Sequence, residues 1–316
     1  MILKPTTIVL GAGASMPYGM PSGAELRSLV CNGQKGLVGT LEEMLHIDPD
    51  VTEDFIQRFS LSSVPSIDDF LSRHDRLVDI GKLCIAAILC AKEDPRLVEN
   101  PTPVGNEINA DHWYQHMWGI LIAGTQTTAD LLRNKIHFVT FNYDRSLEYF
   151  LHQSTKYTYD VSDQEALSVV KEFNILHVYG LLGEFGFAGQ GIRRYTKDNH
   201  AAHIRIAADA IKIIPEARDD GAAFQTARNW FGESEVIGFL GFGFDTLNVK
   251  RLGLSVVLDL QFNNNKHAPT TIASTYGKTN TEAHKICRLL WPRSSGSVQT
   301  YNHNNSMTIR ESELFD

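Results

Sequence analysis

The chain has 316 residues, of which 43% are hydrophobic and 21% are charged, and its formal net charge is -8. This length supports a sizeable core, arranged as one large domain or as one domain with an insertion. The acidic balance argues against a general nucleic-acid-binding surface, so we expect no direct contact with nucleic acid.

The four cysteines are scattered and form no C-x-x-C pair, which predicts neither a zinc ribbon nor a redox motif. They are Cys31, Cys84, Cys90 and Cys287. Unpaired cysteines are typical of a reducing compartment. The apolar run 84–91 is too short to cross a bilayer, and the N-terminus lacks the regions of a signal peptide. We therefore expect a cytoplasmic protein with no membrane contact.

In chain order, the first predicted strand covers residues 6–10, where a short apolar run ends at Gly11. A helix is predicted over 22–31. From 40 to about 134 the apolar residues follow a helical period, and the proline-containing stretch 93–107 is predicted to be a loop. This part of the chain is therefore predicted to hold one strand followed by helices.

Beyond residue 134, strands and helices alternate. The strands are predicted at 136–141, 175–179, 236–240 and 270–275, and the helices at 144–153 and 281–290. Asp144 and Asp245 are suited to be the N-caps of the helices that follow them. Residues 292–297 are predicted to be a loop, and 311–316 a solvated tail.

This alternation predicts an α/β fold, a doubly wound Rossmann-like parallel sheet covered by helices on both faces. Segments 1–31 and 135–316 would form the α/β domain. Residues 32–134, inserted after the first β–α unit, are predicted to form an all-helical lobe. Ligands of such folds bind at the carboxyl ends of the strands, so the residues after each strand are candidates for a site.

The first strand runs into a glycine-rich turn. Its residues are Gly11, Ala12, Gly13, Ala14 and Ser15. Glycine lets the backbone turn tightly and approach a pyrophosphate, and a helix start would then face the negative charge. Met16 stands where the third glycine of G-x-G-x-x-G is expected, so a tight turn without a ligand stays open as the alternative.

Polar residues follow the second strand. Thr140, Asn142 and Asp144 stand at alternate positions, where a ligand would lie. Asn142 can donate and accept hydrogen bonds without ionising. The alternative is that Asn142 shapes a turn and Asp144 only caps a helix.

Two candidates for proton transfer lie near the end of the third strand. His177 and Tyr179 are two residues apart, so on a strand they face the same side, and Gly180 follows. A histidine beside a phenol at a strand end is suited to proton transfer, and a buried strand histidine satisfied by a neighbour is the alternative.

The fourth strand end, "GFGFD", repeats the glycine turn. Its glycines permit close approach to a ligand, and the helix start beyond it can receive anionic or hydroxyl groups. Phe242 and Phe244 either flank a ring or pack on the sheet. The cofactor-binding candidates from the last two strand ends are Gly241, Gly243, Phe244, Asp245, Asn248 and Ser274.

Taken in order, the four strand ends resemble those of the sirtuin-like NAD-binding family. The family has a GAG-x-S turn, a T-x-N-x-D strand exit, a His-containing segment that ends in glycine, and a glycine-led loop. This sequence has "GAGAS", "TFNYD", "LHVYG" and "GFGFD" at those places. The resemblance covers residues 6–30 and 136–276, and it implies that NAD+ is bound against residues 11–15.

The sequence departs from the sirtuin deacylases at three points. It has no four-cysteine zinc module, its first loop continues as "GMPSG" without the family's aromatic and arginine, and Tyr179 stands where their catalytic histidine precedes glycine. Either His177 takes that role or Tyr179 fills the place. The sequence looks more like the prokaryotic sirtuin-like proteins that cleave NAD+ in anti-phage defence, which carry helical insertions and often a segment like "SIDDFL".

The resemblance implies an NAD+ glycohydrolase that takes NAD+ as its substrate and releases nicotinamide and ADP-ribose. Nicotinamide departs neutral, and the ribose cation left behind resembles an oxocarbenium ion. We expect Asn142 to hold the attacking water, and Asp144 to stabilise the cation or orient the nicotinamide amide. His177 would accept the proton of the water, and Tyr179 would orient His177 or contact ribose.

No metal site is predicted. His112 and His116 stand four residues apart, but Trp113 replaces the glutamate of the H-E-x-x-H zinc motif. His200 and His203 have no third ligand nearby in the sequence, so packing or surface roles are favoured for all four histidines.

Two other classes of function remain open. One is a non-catalytic NAD or ADP-ribose sensor or interaction module, which Tyr179 favours; the other is an NAD-dependent ADP-ribosyltransferase or deacylase.

An NADase of an abortive-infection system would need control. We therefore expect a homo-oligomer, a regulatory partner protein from the same defence system, or both, with the helical lobe as the contact surface.

Overall fold

The computed structural model describes residues 1–101, 111–187, 189, 191–197, 200–213, 221–263, 268–291 and 298–315. Its strands are β1 (Thr6–Leu10), β2 (Ile136–Thr140), β3 (Asn174–His177), β4 (Glu184–Phe185), β5 (Ile192–Arg193), β6 (Val236–Leu240), β7 (Thr270–Ser274) and β8 (Val298–Tyr301).

The helices of the first half are α1 (Ala12–Ser15), α2 (Gly23–Asn32), α3 (Gln34–Leu45), α4 (Pro49–Ser62), α5 (Ile67–Leu71), α6 (Val78–Cys90), α7 (Pro95–Glu99), α8 (Trp113–Leu121) and α9 (Thr128–Leu131). Those of the second half are α10 (Ser146–Tyr159), α11 (Asp163–Glu172), α12 (Ala201–Ala210), α13 (Ala222–Glu233), α14 (Thr246–Leu252), α15 (Leu254–Asn263), α16 (Asn280–Leu290) and α17 (Asn305–Glu311). Short 3-10 helices occur at Met16–Tyr18 and Asp75–Leu77.

Six parallel strands form the main sheet in the order β3–β2–β1–β6–β7–β8, and β4 pairs separately with β5. Thr6 of β1 lies opposite Ile136 of β2 on one side and Val236 of β6 on the other. The chain thus adds β2 and β3 on one side of β1, and then β6, β7 and β8 on its other side. The predicted doubly wound parallel sheet is confirmed, and its switch point lies between β1 and β6.

The predicted strands are all present, and each observed end lies within two residues of the predicted one. Strand β8 is not predicted, because its sequence "VQTY" is too short and too mixed to form an apolar run. Within the predicted loop 93–107, residues 95–99 form helix α7, whose start is capped by Asp94. Residues 102–107 and the predicted loop 292–297 lie outside the described residues.

The two predicted N-caps have different outcomes. Asp245 is the N-cap of α14, and its carboxylate accepts from the backbone N–H groups of Leu247 at 2.9 Å and Asn248 at 3.1 Å. The prediction for Asp144 is wrong, because α10 begins at Ser146 and Arg145 holds the N-cap position. Asp144 lies one residue before the N-cap, and its carboxylate accepts from the backbone N–H of Ser146 at 3.0 Å.

The sheet is buried between two apolar clusters. Val9 of β1 points into one cluster, together with residues of α2 to α6 such as Phe70. Ile8 and Leu10 point into the other, together with residues of α8 and α10 such as Trp113. Helices from 32–134 therefore share both clusters with the sheet. The division into an α/β domain and a helical lobe stays a prediction, although the described part of 32–134 contains helices and no strand.

Along the described segments, no helix is both long enough and apolar enough to cross a membrane.

The predicted solvated tail is wrong at Leu314 and Phe315, which are packed, whereas Glu311 and Glu313 are exposed as predicted. Leu314 is completely buried and Phe315 nearly so. Leu314 lies against β6, where a Cβ added to Gly238 would come within 2.5 Å of its Cδ1. The two apolar residues that end "ESELFD" are the signal that indicates this packing, although their acidic neighbours favour solvent.

Replacing Leu314 with alanine is expected to lower the free energy of unfolding by about 2–5 kcal/mol, because it leaves a cavity beside β6. Leu61→Ala is the matched control. Leu61 is 76% exposed on α4, so its replacement should change stability by no more than about 0.5 kcal/mol. Urea unfolding of both variants, followed by circular dichroism, measures the difference. Equal midpoints for the two variants would contradict the packing of the tail.

Candidate functional site

The turns after β1 and β6 are pressed against each other. The backbone N–H of Gly13 donates to the carbonyl oxygen of Gly241 at 2.9 Å. A Cβ on Gly241 would lie 2.0 Å from the nitrogen of Ala14, and one on Gly11 would lie 2.7 Å from the Gly241 oxygen. Gly241 also has a φ of +58°, a conformation that favours glycine. These glycines allow the two turns to contact each other. Their close approach to a pyrophosphate stays a prediction.

Two cavities flank this contact. The β1–β2 cavity, of about 120 Å³, lies at the carboxyl ends of β1 and β2 and is lined by Asn142 and Asp144, among others. The switch-point cavity, of about 220 Å³, lies where β1, β6 and β7 end and is lined in part by Gly13, Gly241 and Ser274. Both lie at the edge of the sheet where α/β folds bind ligands.

Asn142 is fixed by hydrogen bonds to the first turn. Its Nδ2 donates to the carbonyl oxygen of Gly11 and to Oγ of Ser15, both at 2.9 Å. Its backbone N–H donates to Oγ1 of the buried Thr140 at 3.1 Å. Because both amide hydrogens are donated to the turn, Oδ1 is the atom of this half-buried side chain that can accept a hydrogen bond from a ligand.

Asp144 is buried in the wall of the same cavity. Its Oδ1 accepts from the backbone N–H of Ser146 at 3.0 Å and from the Ser146 hydroxyl. Burial raises the pKa of Asp144, and hydrogen bonds from Ser146 and Ser15 oppose that rise. The Ser146 hydroxyl also lies 2.8 Å from the hydroxyl of Tyr114 in α8. Helix α8 therefore supports this wall of the cavity.

A residue of the helical segment also lines the β1–β2 cavity. Asp68 of α5 accepts from the hydroxyl of Tyr143 at 2.6 Å. Burial raises the pKa of Asp68, and the hydrogen bond from Tyr143 opposes the rise. Nothing in the local sequence marks this contact, since its partners are 75 residues apart.

Asp111 and helix α17 line the switch-point cavity. Asp111 accepts from the backbone N–H groups of Asn305 at 3.1 Å and Ser306 at 2.8 Å, at the start of α17. Ser274 lines the cavity as well, and its hydroxyl donates to the carbonyl oxygen of His303 at 2.8 Å. The end of the chain thus contributes to the candidate site.

His177 is the last residue of β3 and lines neither cavity. Its Nε2 lies 2.6 Å from Oε1 of Glu148 in α10, and its Nδ1 lies 2.9 Å from the carbonyl oxygen of Asn142. Burial alone would lower the pKa of His177, but Glu148, the Asn142 carbonyl and the nearby Asp144 together raise it. The imidazole is therefore held between two hydrogen-bond acceptors, the Asn142 carbonyl oxygen and the Glu148 carboxyl group.

Tyr179 lies beyond the end of β3, so the predicted pair of strand residues on one face is not formed. Its hydroxyl donates to Oδ1 of Asn248 at 2.7 Å and accepts from Arg251 at 3.0 Å. Its ring meets that of Phe141 edge-on, with 5.5 Å between ring centroids. Phe141 lines the β1–β2 cavity, so Tyr179 contacts the cavity wall without lining the cavity.

The two aromatic residues of the fourth strand end pack on the sheet. Phe242 and Phe244 are both buried, and each ring centroid lies 5.6 Å from that of Phe239 in β6. Both rings therefore pack on the sheet, and Phe242 also lines the switch-point cavity, so that its flanking of a ligand ring stays a prediction. Asp245 uses its carboxylate to cap α14, and Gly243 is exposed to solvent.

The predicted site residues are therefore divided. The β1–β2 cavity is lined by Ala12, Ser15, Asn142 and Asp144, and the switch-point cavity by Gly13, Gly241 and Ser274. Gly11 and Ala14 belong to the turn between the two cavities. The residues that line neither cavity are Gly11 and Ala14 themselves, together with Thr140, His177, Tyr179, Gly243, Phe244, Asp245 and Asn248.

Two buried charged residues next to the site are not identified by the sequence analysis. Glu148 lies on the face of α10 that also buries Leu151, and an acidic residue on an apolar helix face is the signal that could have identified it. Arg145 is completely buried, and it donates from Nε to Glu93 at 2.9 Å and from Nη1 to the carbonyl oxygen of Arg193 at 2.7 Å. Its partners are distant in sequence, so no local pattern predicts them.

Among the described residues, no three side chains of histidine, cysteine, aspartate or glutamate lie close enough together to hold a metal ion. No protein-family model matches the sequence, and no curated protein matches it significantly.

Gly241→Ala is expected to destabilise the protein by about 2–4 kcal/mol, because a side chain there has a strained backbone conformation and collides with the first turn. Gly243→Ala, two residues further on, is the matched control, because a Cβ at Gly243 meets nothing within 4 Å. Thermal unfolding of both variants compares them. A Gly241→Ala variant as stable as the control would contradict the contact between the turns.

Proposed function

We propose that the protein is an NAD+ glycohydrolase, which cleaves NAD+ to nicotinamide and ADP-ribose. The observation that carries the proposal is the geometry of Asn142 beside Asp144. The amide is locked to the glycine turn by two 2.9 Å hydrogen bonds, which leaves one carbonyl oxygen to hold a water next to a buried carboxylate. The resemblance of the four strand ends to the sirtuin-like NAD-binding family also supports this function.

For this reaction the protein must mainly position the reactants and stabilise the positive charge that forms on the ribose. Nicotinamide leaves as a neutral molecule and needs no general acid, and the ribose then carries positive charge as in glycoside cleavage. Asp144 would stabilise that charge electrostatically inside a site shielded from bulk water. Oδ1 of Asn142 would orient one water toward the ribose carbon, which is an advantage of position rather than of acid–base strength.

Asp144 is also better suited than His177 to accept the proton of the attacking water. Burial raises the pKa of Asp144, which makes its carboxylate a stronger base. Both ring nitrogens of His177 lie against acceptors, so the imidazole has no lone pair directed at the β1–β2 cavity. We therefore assign the general-base role to Asp144.

NAD+ is larger than either cavity. The volumes of about 120 and 220 Å³ are each below the roughly 300 Å³ at which ligand pockets begin. We propose that the dinucleotide crosses the turn 11–15. Its nicotinamide riboside end would lie in the β1–β2 cavity, and its adenosine end in the switch-point cavity.

An enzyme that consumes NAD+ needs control inside its host. We propose that the protein is an abortive-infection effector of anti-phage defence and that self-assembly or a regulatory partner protein switches it on. Helices from 32–134 are the proposed contact surface, because Asp68 links them directly to the β1–β2 cavity.

A non-catalytic sensor of NAD+ or ADP-ribose is the second candidate. It is favoured because His177 and the hydroxyl of Tyr179 both form their hydrogen bonds with other residues of the chain. Incubating the purified protein with NAD+ and following nicotinamide and ADP-ribose separates the candidates. Release without an acceptor supports hydrolysis, and release only with an acceptor protein or peptide supports the transferase or deacylase. Binding without turnover supports the sensor.

Asn142→Ala is expected to lower kcat for NAD+ hydrolysis roughly 100-fold or more, because the attacking water loses its position. KM should change little, since most of the dinucleotide contacts lie elsewhere. Asn229→Ala, on the exposed side of α13, is the control with the same chemical change. Nicotinamide release measured over a range of NAD+ concentrations gives both constants. Normal turnover by the Asn142 variant would rule out the proposed water site.

A further inference from the structure

We propose that Glu148 is a positioning residue, which acts through His177 to fix the peptide of Asn142. The inference rests on the proposed hydrolysis, because it gives His177 and Glu148 a part in that reaction without contact to the substrate. It concerns three residues from three places in the fold: the end of β2, the first turn of α10 and the end of β3.

The geometry is that of a relay between two acceptors. Nδ1 of His177 is 2.9 Å from the carbonyl oxygen of Asn142, and Nε2 is 2.6 Å from Oε1 of Glu148. The side chains of His177 and Glu148 are 8% and 9% exposed, so both are largely shielded from solvent. A carbonyl oxygen can only accept, so Nδ1 must carry a hydrogen.

Glu148 orients the imidazole so that this hydrogen points at the Asn142 carbonyl oxygen. With an ionised Glu148 the imidazole is protonated on both nitrogens, and with a neutral Glu148 its Nε2 accepts from the carboxyl group. In both states Nδ1 keeps its hydrogen and donates to Asn142. Without Glu148, His177 loses the partner that orients its ring and the charge that strengthens its hydrogen bond, so its bond to the Asn142 carbonyl oxygen is weakened.

The contact matters because it completes the anchoring of Asn142. The backbone N–H of Asn142 is bound by Thr140 and its side chain by Gly11 and Ser15. The carbonyl group is the remaining polar group of its backbone, and His177 binds it. When that anchor is lost the peptide plane can rotate, and a shift of about 1 Å at a positioned group is enough to cost about 100-fold in rate.

The position of His177 does not suit direct catalysis. It lines a separate cavity of about 310 Å³ between β3 and α11, together with Glu148 and apolar residues such as Ile175. It is connected to the β1–β2 cavity through its hydrogen bond with the Asn142 carbonyl oxygen. Glu148 and His177 therefore influence the proposed reaction through the position of Asn142.

The test is a rescue experiment. Glu148→Leu is expected to lower kcat about 10- to 100-fold, because Asn142 is misplaced. KM should change little, because the contacts that bind NAD+ are not altered. Adding His177→Asn to that variant should restore kcat to within about threefold of the wild type. The asparagine amide nitrogen takes the place of Nδ1 and donates to the Asn142 carbonyl without help from residue 148.

Other roles predict other outcomes. If His177 were the general base, the double variant would be slower than Glu148→Leu by a further factor of about 100 or more. If the pair served only stability, the two substitutions would lower the melting temperature and leave kcat of the folded fraction unchanged. Either result would overturn the proposal. Glu148→Ala, with and without His177→Asn, replaces the leucine series if Glu148→Leu does not fold.

Glu311→Leu is the matched control. Glu311 pairs with His303 at 3.0 Å, but these side chains are 44% and 46% exposed, respectively, so kcat should not change.

A readout independent of turnover separates this proposal from the proposed function. Hydrogen exchange of the Asn142 side-chain amide, measured by NMR after selective asparagine labelling, reports whether its bonds to Gly11 and Ser15 persist. We expect protection in the wild type, loss in Glu148→Leu and recovery in the double variant. If the wild type does not hydrolyse NAD+, the proposed function fails while this pattern still decides the role of Glu148. Equal protection in all three proteins overturns the positioning role.

Discussion

The contact between the turns after β1 and β6 is the constraint on which the candidate site depends. It joins the two halves of the sheet at the switch point, where the backbone N–H of Gly13 binds the carbonyl oxygen of Gly241. Because the two turns touch, the space above the sheet is divided into one cavity on the β2 side and another on the β7 side. Any ligand that uses both must cross the residues that make this contact.

Much of the fold could be predicted from the sequence, because β1, β2, β6 and β7 are short apolar runs that end at turn residues. The same pattern located Asn142 and Asp144, which line a cavity at the carboxyl edge of the sheet. A strand end is a local property, and parallel pairing brings such ends together.

What could not be predicted depends on partners far along the chain. The sequence locates His177 at a strand end and predicts proton transfer there, but its partner Glu148 comes from another element and changes what the imidazole can do. Tyr143 and Asp68 are likewise joined only by folding. The burial of Leu314 depends on the absence of a side chain at Gly238, which no pattern around Leu314 reveals.

The pairing of β1 also has a consequence for synthesis on the ribosome. Its neighbours in the sheet are β2 and β6, so Thr6 must wait for Ile136 and Val236 to emerge before it can be paired on both sides. Closing such long loops is slow, and an apolar central strand stays open to wrong partners meanwhile. The helices encoded between β1 and β2 emerge first and share buried clusters with β1, so they are the segment able to shield it during translation.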